Sequence, residues 1–230
     1  MAKAIQRTRN SSLFKEVFGK LNIVVISSFP ANINLDKIVA KINSLPEKEF
    51  IFNNIEEICI GKFDFLEKKE VYSSYQDGCV YLYNDIDTSF MREEEIYRNI
   101  LYAASFAIEE HHNDILYCDN SLEQEFRNKL EKLLLAVKEI YVDIPEKINL
   151  ECPDNIQEFH SFLIEEIGPR YLKVLCTGIY VAPEACLSID DYFANGIEEY
   201  FTGNKMYLQN VSPVLYSKIE GILSSFEEEI

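Results

Sequence analysis

Few residue types in this 230-residue chain could do chemistry, and their spacing limits what that chemistry could be. There are three histidines, His111, His112 and His160. The first two are adjacent after Glu109-Glu110, where a helix pattern ends, so they read as a solvated terminus rather than a metal pair. Six cysteines, at 59, 79, 118, 152, 176 and 186, form no Cys-x-x-Cys pair and sit mostly inside apolar strings, as free buried thiols in a reducing compartment do. No cysteine stands beside a histidine with a third orienting group, and there is no glycine-rich phosphate loop and no Gly-x-Ser-x-Gly elbow. The carboxylate runs Glu93-Glu94-Glu95 and Glu227-Glu228-Glu229 fall at element ends and read as solvated.

The elements that must position these groups follow from hydrophobic period. Asn22 to Ser27, Ile58 to Ile60 and Val80 to Tyr83 are β-rich apolar runs, the last preceded by the turn pair Asp77-Gly78. Leu35, Ile38, Val39 and Ile42 have helical spacing. After residue 90 the periodicity predicts helices over Glu94–Glu110, Leu122–Ile140, Ile156 to about Tyr180, Ile189–Phe201 and Ser212–Phe226, punctuated by Pro145, Pro153, Pro183 and Pro213. Strands first and helices after predicts an α+β fold.

Several blocks in this order carry a family likeness. They are Ile58-Cys59-Ile60-Gly61-Lys62-Phe63, Tyr75 to Leu82, the helix Ile96 to Glu110, Leu187 to Tyr200, and Val211-Ser212-Pro213-Val214-Leu215-Tyr216. The most specific are Tyr192-Phe193-Ala194-Asn195-Gly196 and the Ser-Pro-Val-Leu-Tyr run that follows it. Over roughly Lys20 to Phe226 the chain resembles the compact metallopeptidases related to the catalytic domain of anthrax lethal factor, which include bacterial and phage members. The resemblance implies a zincin-like domain: a small twisted β-sheet beside an active-site helix, followed by a mostly helical subdomain. It also places the family's first metal-binding His, general-base Glu and second His at Tyr102, Ala103 and Phe106. The third metal-binding residue, a Glu, falls at Asp191, and the Tyr that stabilises the transition state falls at Glu184.

All five residue types differ from the family's. Two histidines one turn apart can reach one zinc, and the glutamate beside the first activates its water. A phenol and a phenyl ring offer the metal almost nothing, and Ala103 cannot take a proton. Asp191 is one methylene short of Glu, against bonds of about 2 Å with little tolerance. The expectation is a catalytically inactive metallopeptidase-like domain with no metal and no cofactor, with Tyr102 and Phe106 stacked as core aromatics. It would act by binding a protein partner or as a structural component of a larger assembly such as a phage particle. The alternative is a hydrolase with reinvented chemistry at Asp191 and Glu184.

Charge and composition bound the partners. The net charge is −17, yet residues 1–20 hold Lys3, Arg7, Arg9, Lys15 and Lys20 against Glu16 alone, a local charge of +4 that leaves −21 for the rest. So acidic a body repels phosphate backbones, which argues against nucleic acid as a partner. Mimicry of nucleic acid toward a basic enzyme would rest on that charge alone. No run of 18 apolar residues is present, and Met1 to Arg7 lacks the apolar core of a signal peptide, so the expectation is a cytoplasmic protein without a membrane span, or one packed into a virion. The sequence divides into a basic arm, 1–20, and one metallopeptidase-like domain, 21–230. Phe14, Val17 and Phe18 lie at helical spacing within the arm, which predicts an amphipathic basic helix whose docking residues would be Arg7, Arg9, Phe14, Lys15 and Phe18.

Overall fold

The computed structural model describes residues 13–26, 33–69, 71–84, 92–140, 148 and 153–229. The chain falls into two compact units, Met1–Ala107 and Ile108–Ile230. Both are described in turn, and together they are α+β: strands in the first unit, helices through the second.

The first unit is a mixed five-stranded sheet built from β1 (Leu13–Val17), β2 (Leu21–Val25), β3 (Glu57–Gly61), β4 (Ser73–Gln76) and β5 (Cys79–Tyr83), in the order β1-β2-β3-β5-β4. The inner three strands are parallel and the two edges antiparallel. Alternation sets the buried face: Ile23 and Val25, Ile58 and Ile60, and Val80 and Leu82 are all at most 2% exposed. Both hairpin turns need left-handed backbone. Asp77 (φ 50°) and Gly78 (φ 78°) make the two-residue β4–β5 turn that the Asp-Gly pair predicts, and Phe18 (φ 37°) with Gly19 (φ 76°) turns β1 into β2.

Helix α1 (Leu35–Ser44) begins at Asn34, whose side chain accepts from the Asp36 N–H, and buries Leu35, Ile38 and Ile42. Short helices α2 (Lys48–Ile51) and α3 (Asp64–Lys69) fill connections that have no long period of their own. Helix α4 (Glu93–His111) starts against α1: Glu93 accepts from the Asn34 N–H at 3.2 Å, Lys41 pairs with Glu94, and the same ammonium lies 4.7 Å from the Tyr97 ring centre.

The basic segment differs from its expected helix. Residues Leu13–Val17 are an edge strand, because Leu13, Lys15 and Val17 alternate with Phe14 and Glu16 and pair in register with Val25 to Leu21. A three-residue apolar set spaced 14, 17, 18 is too short to outvote period 2 beside a ready antiparallel partner. Lys15 reaches Asp36 of α1 at 2.7 Å, and the Phe18 ring lies 6.1 Å from Phe52.

The second unit contains the last turn of α4, then α5 (Asn113–Tyr117), α6 (Ser121–Ile140), α7 (Pro153–Phe162), α8 (Gly168–Leu175), α9 (Ile189–Thr202), α10 (Lys205–Val211) and α11 (Pro213–Glu229). The predicted single helix 156–180 is broken. A π turn, Leu163–Ile167, runs into Gly168 at φ 73° and Pro169, whose missing N–H and ring interrupt the ladder.

The core of this unit is held by two polar side chains of α6. Glu125 accepts from the Val214 and Leu215 N–H groups, both at 3.0 Å, and from the Tyr192 hydroxyl at 2.8 Å, so it caps α11 and anchors α9. Lys129, 5% exposed, donates to the main-chain oxygens of Ile179 and of Val211, the latter at 2.7 Å, beside the Tyr180 and Tyr192 rings.

Candidate functional site

In the first unit, α4 carries the three positions where the family likeness puts a metal-binding helix. Ala103 is fully buried, with Leu101, Ala104 and Ser105 beside it. Tyr102 and Phe106, one turn apart, meet edge to face with ring centres 5.3 Å apart. Both are half-buried rather than sealed in the core.

In the second unit, Asp191 is the third residue of α9, and its carboxylate accepts from the hydroxyl of Ser188, the N-cap, at 2.6 Å. The Ser188 oxygen in turn accepts from the Asp191 N–H at 2.9 Å. The Ser188 hydroxyl thus caps α9 and is itself held by the Asp191 carboxylate, a local structural task for that carboxylate. Glu184 is exposed, in the 3-10 turn Pro183–Cys186.

The two blocks that carried the likeness most specifically meet within this unit. Gly196 lies so close to α11 that a Cβ there would stand 2.4 Å from a Leu215 methyl carbon. Tyr192 and the start of α11 share Glu125, and the Asn195 amide donates to the Asp191 carbonyl at 2.7 Å. The motif residues build a helix crossing.

A second group of titratable residues was passed over in the sequence. Glu109, in the last turn of α4 and 9% exposed, accepts a hydrogen bond from the Tyr117 hydroxyl. Burial above all, with Asp190 and Asp191 adding to it, pushes its carboxyl up to about 7 against the pull of Tyr117. One Glu123 oxygen and the His160 Nε2 are buried without a hydrogen-bond partner. Burial holds His160 below the ordinary histidine range, while Asp191 and the Cys186 main chain act the other way. The available signal was position: Glu109 lies four residues beyond buried Ser105, on the apolar stripe. Among the described residues no group of three His, Cys, Asp or Glu side chains is arranged to hold a metal ion.

The docking residues predicted at the N-terminus divide. Arg7 and Arg9 lie outside the described residues, Lys15 and Phe18 are engaged within their own unit, and Phe14 is 57% exposed on the edge strand. No helix among the described residues is long and apolar enough to cross a membrane. Comparison with protein-family models, with curated proteins and with solved structures finds no match for the chain.

Proposed function

We propose that this protein is a catalytically inactive, zincin-like relative of the lethal-factor-type metallopeptidases, working as a binding or structural component of a protein assembly. The observation that carries the reading is the use made of the α4 positions: Tyr102 and Phe106 pack edge to face against each other, beside a fully buried Ala103. Rings packed this way supply no donor set for zinc, and methyl cannot activate water. The Asp191 carboxylate is used to hold the Ser188 hydroxyl that caps α9, which supports the same reading. A phage particle or a toxin-like complex is the kind of assembly the resemblance implies.

The test has two arms. Protein purified without chelator is assayed for bound zinc and for peptide hydrolysis, and the triple variant Tyr102→His, Ala103→Glu, Phe106→His is assayed beside it. Neither should hydrolyse peptides, because Asp191 is short and Glu184 brings negative charge where an oxyanion would need a donor. One zinc per chain in the natural protein, lost on Asp191→Ala, would sink the proposal. The partner arm is co-purification from the native source, with residues 1–12 deleted so that the strand at Leu13–Val17 stays intact.

A hydrolase with new carboxyl chemistry is the second reading. What favours it is Glu109, whose raised proton affinity suits a general acid near neutral pH, rather than the Glu184 and Asp191 pair. Glu109→Gln abolishing a hydrolytic activity, with folding intact, would establish it.

A further inference from the structure

The two faces of the sheet are finished differently. On one, the isoleucines, valines and leucine of the inner strands are at most 2% exposed. On the other, the pairing register lines up one residue from every strand: Phe14 opposite Val24, Val24 beside Cys59, Cys59 beside Tyr81, and Tyr81 opposite Ser74. Phe14, at the β1 edge, is 57% exposed, and Ile26, two residues beyond Val24 and just past β2, is 48% exposed. Val24, Tyr81 and Ser74 are half-buried, and only the short Cys59 side chain between its neighbours is closed off. Phe63 and Phe65 lean on Tyr81 with ring centres 5.2 and 5.3 Å away, so the row has an aromatic wall at β5 and a single exposed ring at β1. A sheet whose inner strands are parallel ordinarily carries a covering layer on both faces, because its crossovers are helices. Here the second face keeps an apolar strip in contact with solvent, the kind of surface that marks an interaction.

The adjacent row on the same face is acidic: Glu16 lies opposite Asn22, Asn22 beside Glu57, and Glu57 beside Cys79. Glu16 is exposed, and Glu57 is half-buried with one oxygen accepting from the Cys59 thiol at 3.3 Å. Lys15 is turned to the opposite face, where it pairs with Asp36, and Lys20 is exposed in the β1–β2 turn. We propose that this face is the docking surface for a cationic amphipathic helix of a protein partner, its apolar side on Phe14, Val24 and Tyr81 and its Lys or Arg side chains along Glu16 and Glu57. The inference rests on the reading of the protein as a binding component and names the surface and partner chemistry. Charge selects the occupant. A row of carboxylates repels phosphate, which disfavours an anionic lipid surface or a nucleic acid, whereas Lys and Arg lay their apolar stems along such a strip while their heads reach the carboxylates. A helix is the element that the open face of a parallel sheet ordinarily receives. Phe14 is the anchor, since an exposed aromatic at the centre of a contact supplies much of its energy.

The experiment uses the full chain and a synthetic peptide of about 18 residues, long enough to be helical, with leucines along one side and lysines along the other. A peptide of the same composition with the two residue types shuffled is the control, and binding is read by fluorescence anisotropy at physiological salt. The amphipathic peptide is expected to bind at least about tenfold more tightly than the shuffled one. Phe14→Ser and Val24→Ser should each weaken it about tenfold, and Glu16→Lys about threefold. Leu135→Ser, at an exposed apolar position of α6, should leave it unchanged. Circular dichroism checks each variant, and Phe14→Ser, at an exposed edge position, carries the test should Val24→Ser fail to fold. Equal affinity for the two peptides, or Phe14→Ser and Glu16→Lys binding as the natural protein does, would overturn the proposal. A natural dimer that Phe14→Ser makes monomeric would overturn it by giving the face to a second copy of the chain. Binding that appears only after residues 1–12 are deleted would overturn it by giving the face to the chain's own N-terminal segment. Zinc content and peptide hydrolysis test the inactive-peptidase reading without reference to this face, so the two ideas fail separately.

Discussion

The sheet unit and the helical unit reach a packed interior by different means. In the sheet, Ile23, Val25, Ile58, Ile60, Val80 and Leu82 meet through apolar surface, and the strands satisfy their own polar groups. In the helical unit, Glu125 and Lys129 reach into the interior to bond the ends of other helices and a connecting loop. Apolar contacts are non-directional and tolerate small shifts, whereas a carboxylate that accepts two N–H groups and a phenol fixes where a helix must begin. The lesson is that the helical unit is specified by a few residues and the sheet by many.

That contrast predicts unequal losses, measurable by urea denaturation with circular dichroism, since the chain has no tryptophan. Glu125→Ala strands two helix N–H groups and the Tyr192 hydroxyl, and should cost about 3–5 kcal/mol. Should it cost less than 1 kcal/mol by this measure, the polar anchors are ornamental and the contrast falls. Ile58→Ala, at a fully buried position of the central strand, should cost about 3 kcal/mol through lost burial and a residual cavity. Gly196→Ala should cost about 1–3 kcal/mol by driving a Cβ into Leu215, and Leu215→Ala in the same chain should recover part of that loss.

Smaller effects sharpen the picture. Phe106→Ala should cost only about 1–2 kcal/mol, less than a sealed core ring, because the edge-to-face pair with Tyr102 is half-buried. A loss as large as that of Ile58→Ala would return Phe106 to the core. Finally, burial holds the Lys129 ammonium down to about 8, so the unfolded chain binds that proton more tightly than the folded one. Stability should rise as pH climbs from 8 through the ordinary lysine value of 10.5, and Lys129→Met should flatten that rise. A falling curve for the natural protein, with tyrosine ionisation accounted for through the variant, would refute the sign.

Much of this division was legible in the sequence, and the reasons for success and failure are physical. The inner strands and α1 were predicted because each has a period of its own, and the Asp77-Gly78 turn because only left-handed backbone closes a two-residue hairpin well. β1 was misread as a helix because its pairing with β2 comes from the neighbour, not from its own five residues. The break at Gly168-Pro169 was written in the sequence and underweighted. At the candidate site Tyr102 and Phe106 are in contact as expected but half-buried rather than in the core, and the helix end read from the sequence as a solvated terminus holds the buried Glu109. Its partner Tyr117 lies on α5, which no local pattern around residue 109 encodes.

The Glu125 anchor also bears on how the chain is made. Its helix N–H partners lie 89 and 90 residues further along the chain. At a translation rate of about 5–20 residues per second, α6 waits roughly 5–20 seconds with this carboxylate lacking its final partners. The second unit therefore cannot set its interior until the Pro213 helix has left the ribosome, and a chain stalled before that point is exposed to chaperones and proteases with its core open.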